Sequence, residues 1–214
     1  MRIPIHRQGW PFIAIALILN AALFALTGWG GLVLVPVTLW VIAFFRDPER
    51  TPPAGDGLIL CPADGKLLAP GRAVPPAELD LGPEERLRLS IFMNVFNVHV
   101  NRVPCNGTVT KLAYRPGKFF NASFDKASEQ NERMSVRLAL PDGRNLVFVQ
   151  IAGLIARRIH CELKEGQRVC RADRFGIIRF GSRVDVYLPD GARLLATEGQ
   201  TVRAGETALA DFPN

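Results

Sequence analysis

Ser182, preceded by Gly181 in the run Arg179-Phe180-Gly181-Ser182-Arg183-Val184-Asp185, is the residue best placed for acyl chemistry on its own backbone. A serine hydroxyl lies close to the carbonyl of the residue before it. A glycine at that preceding position has no Cβ to resist the dihedrals that an N-to-O acyl shift requires. Taken alone, the step is more simply a glycine bulge in a strand followed by an ordinary serine, so the other residues must decide. His99 is the second candidate. It lies in Phe92-Met93-Asn94-Val95-Phe96-Asn97-Val98-His99-Val100-Asn101-Arg102-Val103-Pro104, where strand alternation puts Asn97, His99 and Asn101 on one face. That face is either a hydrogen-bonded structural stripe or a site of general acid and base chemistry.

Asp64, in Cys61-Pro62-Ala63-Asp64-Gly65-Lys66, puts a carboxylate in a turn, where most Asp-Gly pairs only shape the backbone. Arg157, Arg158 and Arg183 carry planar guanidinium forks suited to phosphate or carboxylate, with solvated surface arginines as the alternative. The four cysteines, Cys61, Cys105, Cys161 and Cys170, form no C-x-x-C and have no paired histidines at ligand spacing. Reduced core thiols are therefore expected, and no metal site.

The elements that must hold these groups are β-like. After Arg46-Asp47-Pro48-Glu49-Arg50-Thr51-Pro52-Pro53, a charged, proline-rich connector that cannot continue a helix, short apolar runs are punctuated by Gly, Pro and Asn. Strands are expected over 58–60, 87–100, 108–114, 135–140, 145–152, 176–180, 184–188 and 193–196. Pro141-Asp142-Gly143-Arg144 and Pro189-Asp190-Gly191-Ala192 read as the turns between neighbours. Residues 76–86 have room for one short helical turn, and 117–133 reads as a long loop. Glu165-Gly166-Gln167-Arg168-Val169 and Glu198-Gly199-Gln200-Thr201-Val202 echo one another as tight turns entering strands. The expected fold is mainly β, a compact sandwich or barrel-like catalytic domain over 51–214.

Residues 1–50 differ in kind. No charged side chain occurs from Gln8 to Phe45, and Thr27-Gly28-Trp29-Gly30-Gly31 divides this stretch into two apolar arms. Each arm is marginal for one bilayer crossing. Arg2 and Arg7 precede the first arm, and Arg46 and Arg50 follow the second, so a helical hairpin with both ends on the cytoplasmic side satisfies the positive-inside rule. Re-entrant and two-pass hairpins both fit. The stretch is too long for a signal-peptide core and is expected to stay attached. The net charge of +6 is scattered beside this segment, which favours anionic lipid headgroups. Nucleic acid is not expected, because there is no basic helix, aromatic-basic interleaving or zinc-finger spacing.

Several motifs in one order resemble a single family, the phosphatidylserine decarboxylases, and within it the short membrane-associated proenzymes. They are Phe45-Arg46-Asp47-Pro48, Pro62-Ala63-Asp64-Gly65, Asn97-Val98-His99-Val100-Asn101-Arg102-Val103-Pro104, Asp125-Lys126-Ala127-Ser128 with Asn131-Glu132-Arg133, Gln150-Ile151-Ala152-Gly153 with Ala156-Arg157-Arg158-Ile159, and 175–185. The resemblance implies self-cleavage between Gly181 and Ser182 into a large chain, 1–181, and a small chain, 182–214, which stay associated. It implies that Ser182 becomes a pyruvoyl group, with neither a metal nor pyridoxal phosphate. The ketone would condense with the serine amine of phosphatidylserine as a Schiff base and accept electron density as CO2 leaves, giving phosphatidylethanolamine.

In that scheme His99 transfers a proton at the substrate carbon and Asp64 assists maturation. Arg157, Arg158 and Arg183 bind the lipid phosphate or the departing carboxylate. The implied setting is the cell membrane, with the catalytic domain on the cytoplasmic face and a further homo-oligomer allowed. Longer members carry a second histidine where this chain has Arg102, and Leu-Gly-Ser-Thr where it has Phe180-Gly181-Ser182-Arg183. Their Ser-His-Asp relay does not carry over intact. Two other classes remain open: a membrane-tethered carrier or adaptor built on the Glu-Gly-Gln turns, and a membrane serine hydrolase that keeps Ser182 as its nucleophile.

Overall fold

Uncharged, mostly apolar residues, with a proline in the first turn where a missing N–H costs nothing, make Trp10–Thr27 the helix α1. It is seen in a computed structural model that describes residues 4–117, 130–153, 158–179 and 182–212. Gly28 ends α1 at φ 60°, a 3₁₀ stretch follows over Gly28–Leu34, and helix α2 runs over Val35–Phe44. The chain turns back on itself. Phe12 stacks on Phe45 with ring centroids 5.2 Å apart, Asn20 Nδ2 donates to Thr38 Oγ1 at 3.4 Å, and Ile5 pairs with Arg46. The expected hairpin is present. α1 is about 27 Å long, and the 3₁₀ stretch plus α2 about 29 Å, each arm close to the ~30 Å of a bilayer's hydrocarbon. Most of the chain's exposed large apolar side chains lie here, among them Ile18, Leu19, Leu26, Trp29 and Val33. Such a surface matches lipid and does not match water. The hairpin belongs to one unit, Met1–Glu49, and the β structure to a second, Arg50–Asn214.

Among the described residues the second unit contains β1 (Leu58–Leu60), β2 (Gly65–Leu67), β3 (Gly71–Ala73), β4 (Arg86–Met93), β5 (Val100–Arg102), β6 (Gly107–Arg115), β7 (Arg133–Ala139), β8 (Asn145–Ala152), β9 (Ile159–Cys161), β10 (Arg168–Val169), β11 (Arg174–Ile178), β12 (Ser182–Tyr187), β13 (Arg193–Leu194), β14 (Thr201–Val202) and β15 (Ala208–Asp211). One nine-stranded sheet runs β10-β6-β7-β8-β12-β4-β2-β14, with β3 also on β4, and two three-stranded sheets run β1-β15-β13 and β5-β11-β9. Every pairing is antiparallel. Alternation sends Leu89, Ile91 and Met93 of β4, Phe148 and Ala152 of β8, and Val184 and Val186 of β12 into one core shared with Ile59, Phe175, Ile178 and Leu209 of the small sheets. The mainly β, sandwich-like expectation holds.

The expected strand 87–100 is broken. β4 stops at Met93 and β5 begins at Val100 in another sheet. Asn94 Oδ1 accepts from the Phe96 amide at 2.8 Å and Asn97 Oδ1 from the Asn94 amide at 2.9 Å. These side-chain bonds offer the backbone a turn in place of the ladder, so Asn97 leaves the face that His99 and Asn101 were expected to share with it. The two Glu-Gly-Gln turns are the same device used twice. Gly166 and Gly199 adopt φ 80° and 76°, which glycine alone reaches easily, and Gln167 and Gln200 side chains accept from the amides three residues back, at 3.0 and 3.1 Å. They feed β10 and β14, the two ends of the pairing path. The thiols divide: Cys61 and Cys105 are buried, as expected, whereas Cys161 is half-buried and Cys170 is exposed, a correction to four core thiols.

Candidate active site

Ser182 opens β12, a strand hydrogen-bonded on both sides, where it faces Met93 of β4 and Ala152 of β8. It is fully buried, and its Oγ lies 3.2 Å from Met93 Sδ. A thioether is a poor acceptor, so the hydroxyl is held without being spent on a strong partner. Three segments carry the chain between the nine-stranded sheet and the β5-β11-β9 sheet at this place: Met93 to Val100, which holds His99, Ala152 to Ile159, and Ile178 to Ser182. The Ile178 amide bonds the His99 carbonyl at 3.4 Å, so the stretch leading into Ser182 leaves from beside His99.

His99 is fully buried, with Nδ1 3.0 Å from the Asn97 carbonyl oxygen. A carbonyl only accepts, so Nδ1 donates in this contact. Asn101 and Gln150, both fully buried, extend the cluster: Gln150 Nε2 donates to Asn101 Oδ1 at 2.8 Å, and Asn101 Nδ2 lies 3.8 Å from Met93 Sδ. Asn131 Nδ2 bonds the Ala152 carbonyl at 2.7 Å, and Glu132 takes the Ile159 amide at 3.3 Å, which fixes the end of β8 beside Ser182. Sequence reasoning assigned no role to Met93, Gln150, Asn131 or Glu132, although Gln150, Asn131 and Glu132 stand in motifs it singled out.

The remaining predicted residues are placed as follows. Asp64 is buried, with Oδ2 receiving Arg50 Nη2 at 2.7 Å and Oδ1 receiving the Ala204 amide at 2.8 Å. The structure therefore commits Asp64 to Arg50 and to residue 204, and Arg50 reaches on to Glu206 at 3.2 Å. Arg183 is fully buried and forms an ion pair with Asp185, Nη2 donating to Oδ2 at 2.9 Å while Nε lies 2.7 Å from Oδ1. Its guanidinium faces a carboxylate of its own strand and is not offered to a lipid oxyanion. Arg158 is exposed, and its carbonyl accepts from the Arg179 amide at 3.3 Å. Burial, together with the Arg158 charge, pulls the Arg179 guanidinium below its usual value, so two cations crowd one spot. Arg179 was not among the expected residues. Gly181 and Arg157 lie outside the described residues, as does most of the expected loop 117–133. Arg102 donates Nη1 to the Ala172 carbonyl at 2.8 Å and, as the neighbour of Asn101 on β5, faces the other side of the strand.

A family model described as phosphatidylserine decarboxylase matches residues 37–210. The chain belongs to the phosphatidylserine decarboxylase family. It is 56% identical over 212 residues to a phosphatidylserine decarboxylase proenzyme of Paramagnetospirillum magneticum, covering 98% of this chain and 87% of that one. It is 54% identical to the proenzyme of Xanthobacter autotrophicus and 53% to that of Rickettsia rickettsii, over 98% and 97% of this chain and 90% of each relative. Membership in a phosphatidylserine decarboxylase family makes the chain a lyase of phospholipid biosynthesis and replaces the carrier and hydrolase alternatives.

Proposed function

We propose that the chain cuts itself between Gly181 and Ser182 and then converts phosphatidylserine to phosphatidylethanolamine and CO2 at a pyruvoyl group derived from Ser182. The observation that carries this reading is a fully buried serine at the first position of a central strand, its hydroxyl against a thioether, in a chain whose His99 is also fully buried and held through Nδ1 on the Asn97 carbonyl. One under-satisfied donor beside Ser182 fits a new carbonyl there: Asn101 Nδ2, whose acceptor is only the Met93 thioether at 3.8 Å.

The pyruvoyl carbonyl supplies the electron sink that amino-acid side chains lack. His99 Nε2 handles the protons, first at Ser182 Oγ and later at the substrate Cα. Asp64 serves maturation by position: with Arg50 it grips residues 204–206, which belong to the future small chain. Arg158 and Arg179 form the cationic spot that suits the lipid phosphate, with Arg157 beside Arg158 in sequence. Arg183 holds the new end of β12 in place through Asp185. The apolar hairpin keeps the enzyme on the bilayer that contains its substrate, and the Arg-flanked ends put the catalytic unit on the cytoplasmic face.

After the cut the small chain stays by packing. Val184, Val186, Leu188, Val202 and Leu209 are all buried, and removing such side chains from water contributes on the order of 7 to 15 kcal/mol in total. The test is the full chain in phosphatidylserine vesicles. Wild type should run as two chains on a denaturing gel and release CO2, and Ser182→Ala should stay whole and release none. An active Ser182→Ala protein, or an active wild type that remains uncut, would overturn the proposal.

A further inference from the structure

Gln150 is fully buried and its Oε1 has no hydrogen-bond partner. Asn101 turns its NH2 to Met93 Sδ and so offers Oδ1, which takes Gln150 Nε2 at 2.8 Å and leaves Gln150 Oε1 outside that bond. Val184 is paired in register with Gln150, and Ser182 with Ala152. Directly paired residues, and residues two apart on a strand, share a face of the sheet. The Gln150 side chain therefore leaves the same face as that of Ser182, on the adjacent strand and about 7 to 8 Å away along the diagonal. A fully buried acceptor without a protein partner, on the same face as the reacting residue, calls for a donor from a ligand.

The chemistry of an empty acceptor names its ligand. The serine headgroup presents a carboxylate and a phosphate, which have only lone pairs to offer and would be repelled, and an α-amino group, which has N–H donors. We propose that Gln150 Oε1 receives an N–H of the substrate's α-amino group, so that Gln150 selects lipids with a free primary amine. Asn101, held by Gln150 Nε2, keeps its own NH2 on the Met93 and Ser182 side. The pair thus presents an acceptor for the amine and a donor toward the reacting centre. This inference rests on the phosphatidylserine reading above and assigns one contact within it.

The test uses the full chain in detergent micelles on a Ser182→Ala background, which removes turnover from the readout. Binding of dihexanoyl phosphatidylserine and of its N,N,N-trimethyl derivative, which keeps the charge but has no N–H, is measured by titration calorimetry. The parent should favour the free amine. Gln150→Leu should weaken phosphatidylserine by about tenfold, the worth of one buried hydrogen bond, and leave the trimethyl lipid unchanged. Gln150→Glu, which keeps an oxygen at the site, should restore the preference. An equal loss for both lipids, or no loss for either, overturns the assignment. Should Gln150→Leu fail to fold, Gln150→Glu decides alone, since parity between the two lipids in that protein also overturns it. Wild-type chain that releases no CO2 from phosphatidylserine would instead remove the underlying reading, a failure distinct from either result.

Discussion

Removing Asp185 should be among the most damaging single changes away from the reacting residue. Arg183 and Asp185 are both fully buried, on one face of the central strand β12, and each is the other's counter-charge. Asp185→Ala leaves a guanidinium in the interior without its carboxylate, which costs about 3 to 5 kcal/mol. With a urea slope near 2 kcal/mol/M, the unfolding midpoint of the full chain in micelles should fall by about 1.5 to 2.5 M. Replacing both residues, Arg183→Met with Asp185→Leu, removes both desolvation penalties and should recover most of that loss. A second readout is the phenol of Tyr187, pushed up to about 12 by burial and then by the Asp185 charge. With only two tyrosines in the chain, ultraviolet titration should show this phenol ionising at lower pH in Asp185→Ala. A single variant that costs less than about 1 kcal/mol, or a double variant no more stable than the single, would refute the claim that the pair is coupled.

Other outcomes follow from the same structure. Burial raises the Glu78 carboxyl, but the Arg133 hydrogen bonds and charge, with Ser135, outweigh it and hold the group at about 2 against an ordinary 4.5. A depressed carboxyl stabilises the fold above its unfolded value, so wild type should lose stability as pH falls from about 4.5 through about 2, and Glu78→Gln should lack this part of the slope in acid denaturation curves. Burial pushes the Cys61 and Cys105 thiols up to about 12, so iodoacetamide at neutral pH should label exposed Cys170 first, as read by peptide mass spectrometry; early labelling of Cys61 would contradict the packing. Leu19→Arg, at an exposed position midway along α1, should cost about 2.5 to 3.5 kcal/mol of bilayer insertion and shift the chain out of the lipid fraction in vesicle flotation.

Long elements and the hairpin were legible because their patterns extend over many residues. Asn145–Ala152 appears as a strand with the expected bounds, and the split at Thr27 to Gly31 marks where the helical arms part. Strands β2, β3 and β9 were not, since three residues cannot display a period of two, whereas β10 and β14 were marked by the Glu-Gly-Gln turns that enter them. The break after Met93 was missed because the apolar run continues through it, whereas the decision lies in two asparagine side chains. At the site, Ser182 and His99 could be picked out by residue type. The role of Met93 could not, since a methionine in a strand looks like any core residue until its sulfur is found against a serine hydroxyl. Nor could the fate of Arg183, because a neighbour two residues along a strand lies on the same face and claims the charge.

The pairing path of the large sheet ends in β10 at one limit and β14 at the other, each only two residues long and each launched from a Glu-Gly-Gln turn. So brief a border leaves few open amides for a foreign backbone to align against. Where those two strands close the path, neighbouring copies gathered on one patch of lipid find little to align against, a safeguard built from a motif spent twice.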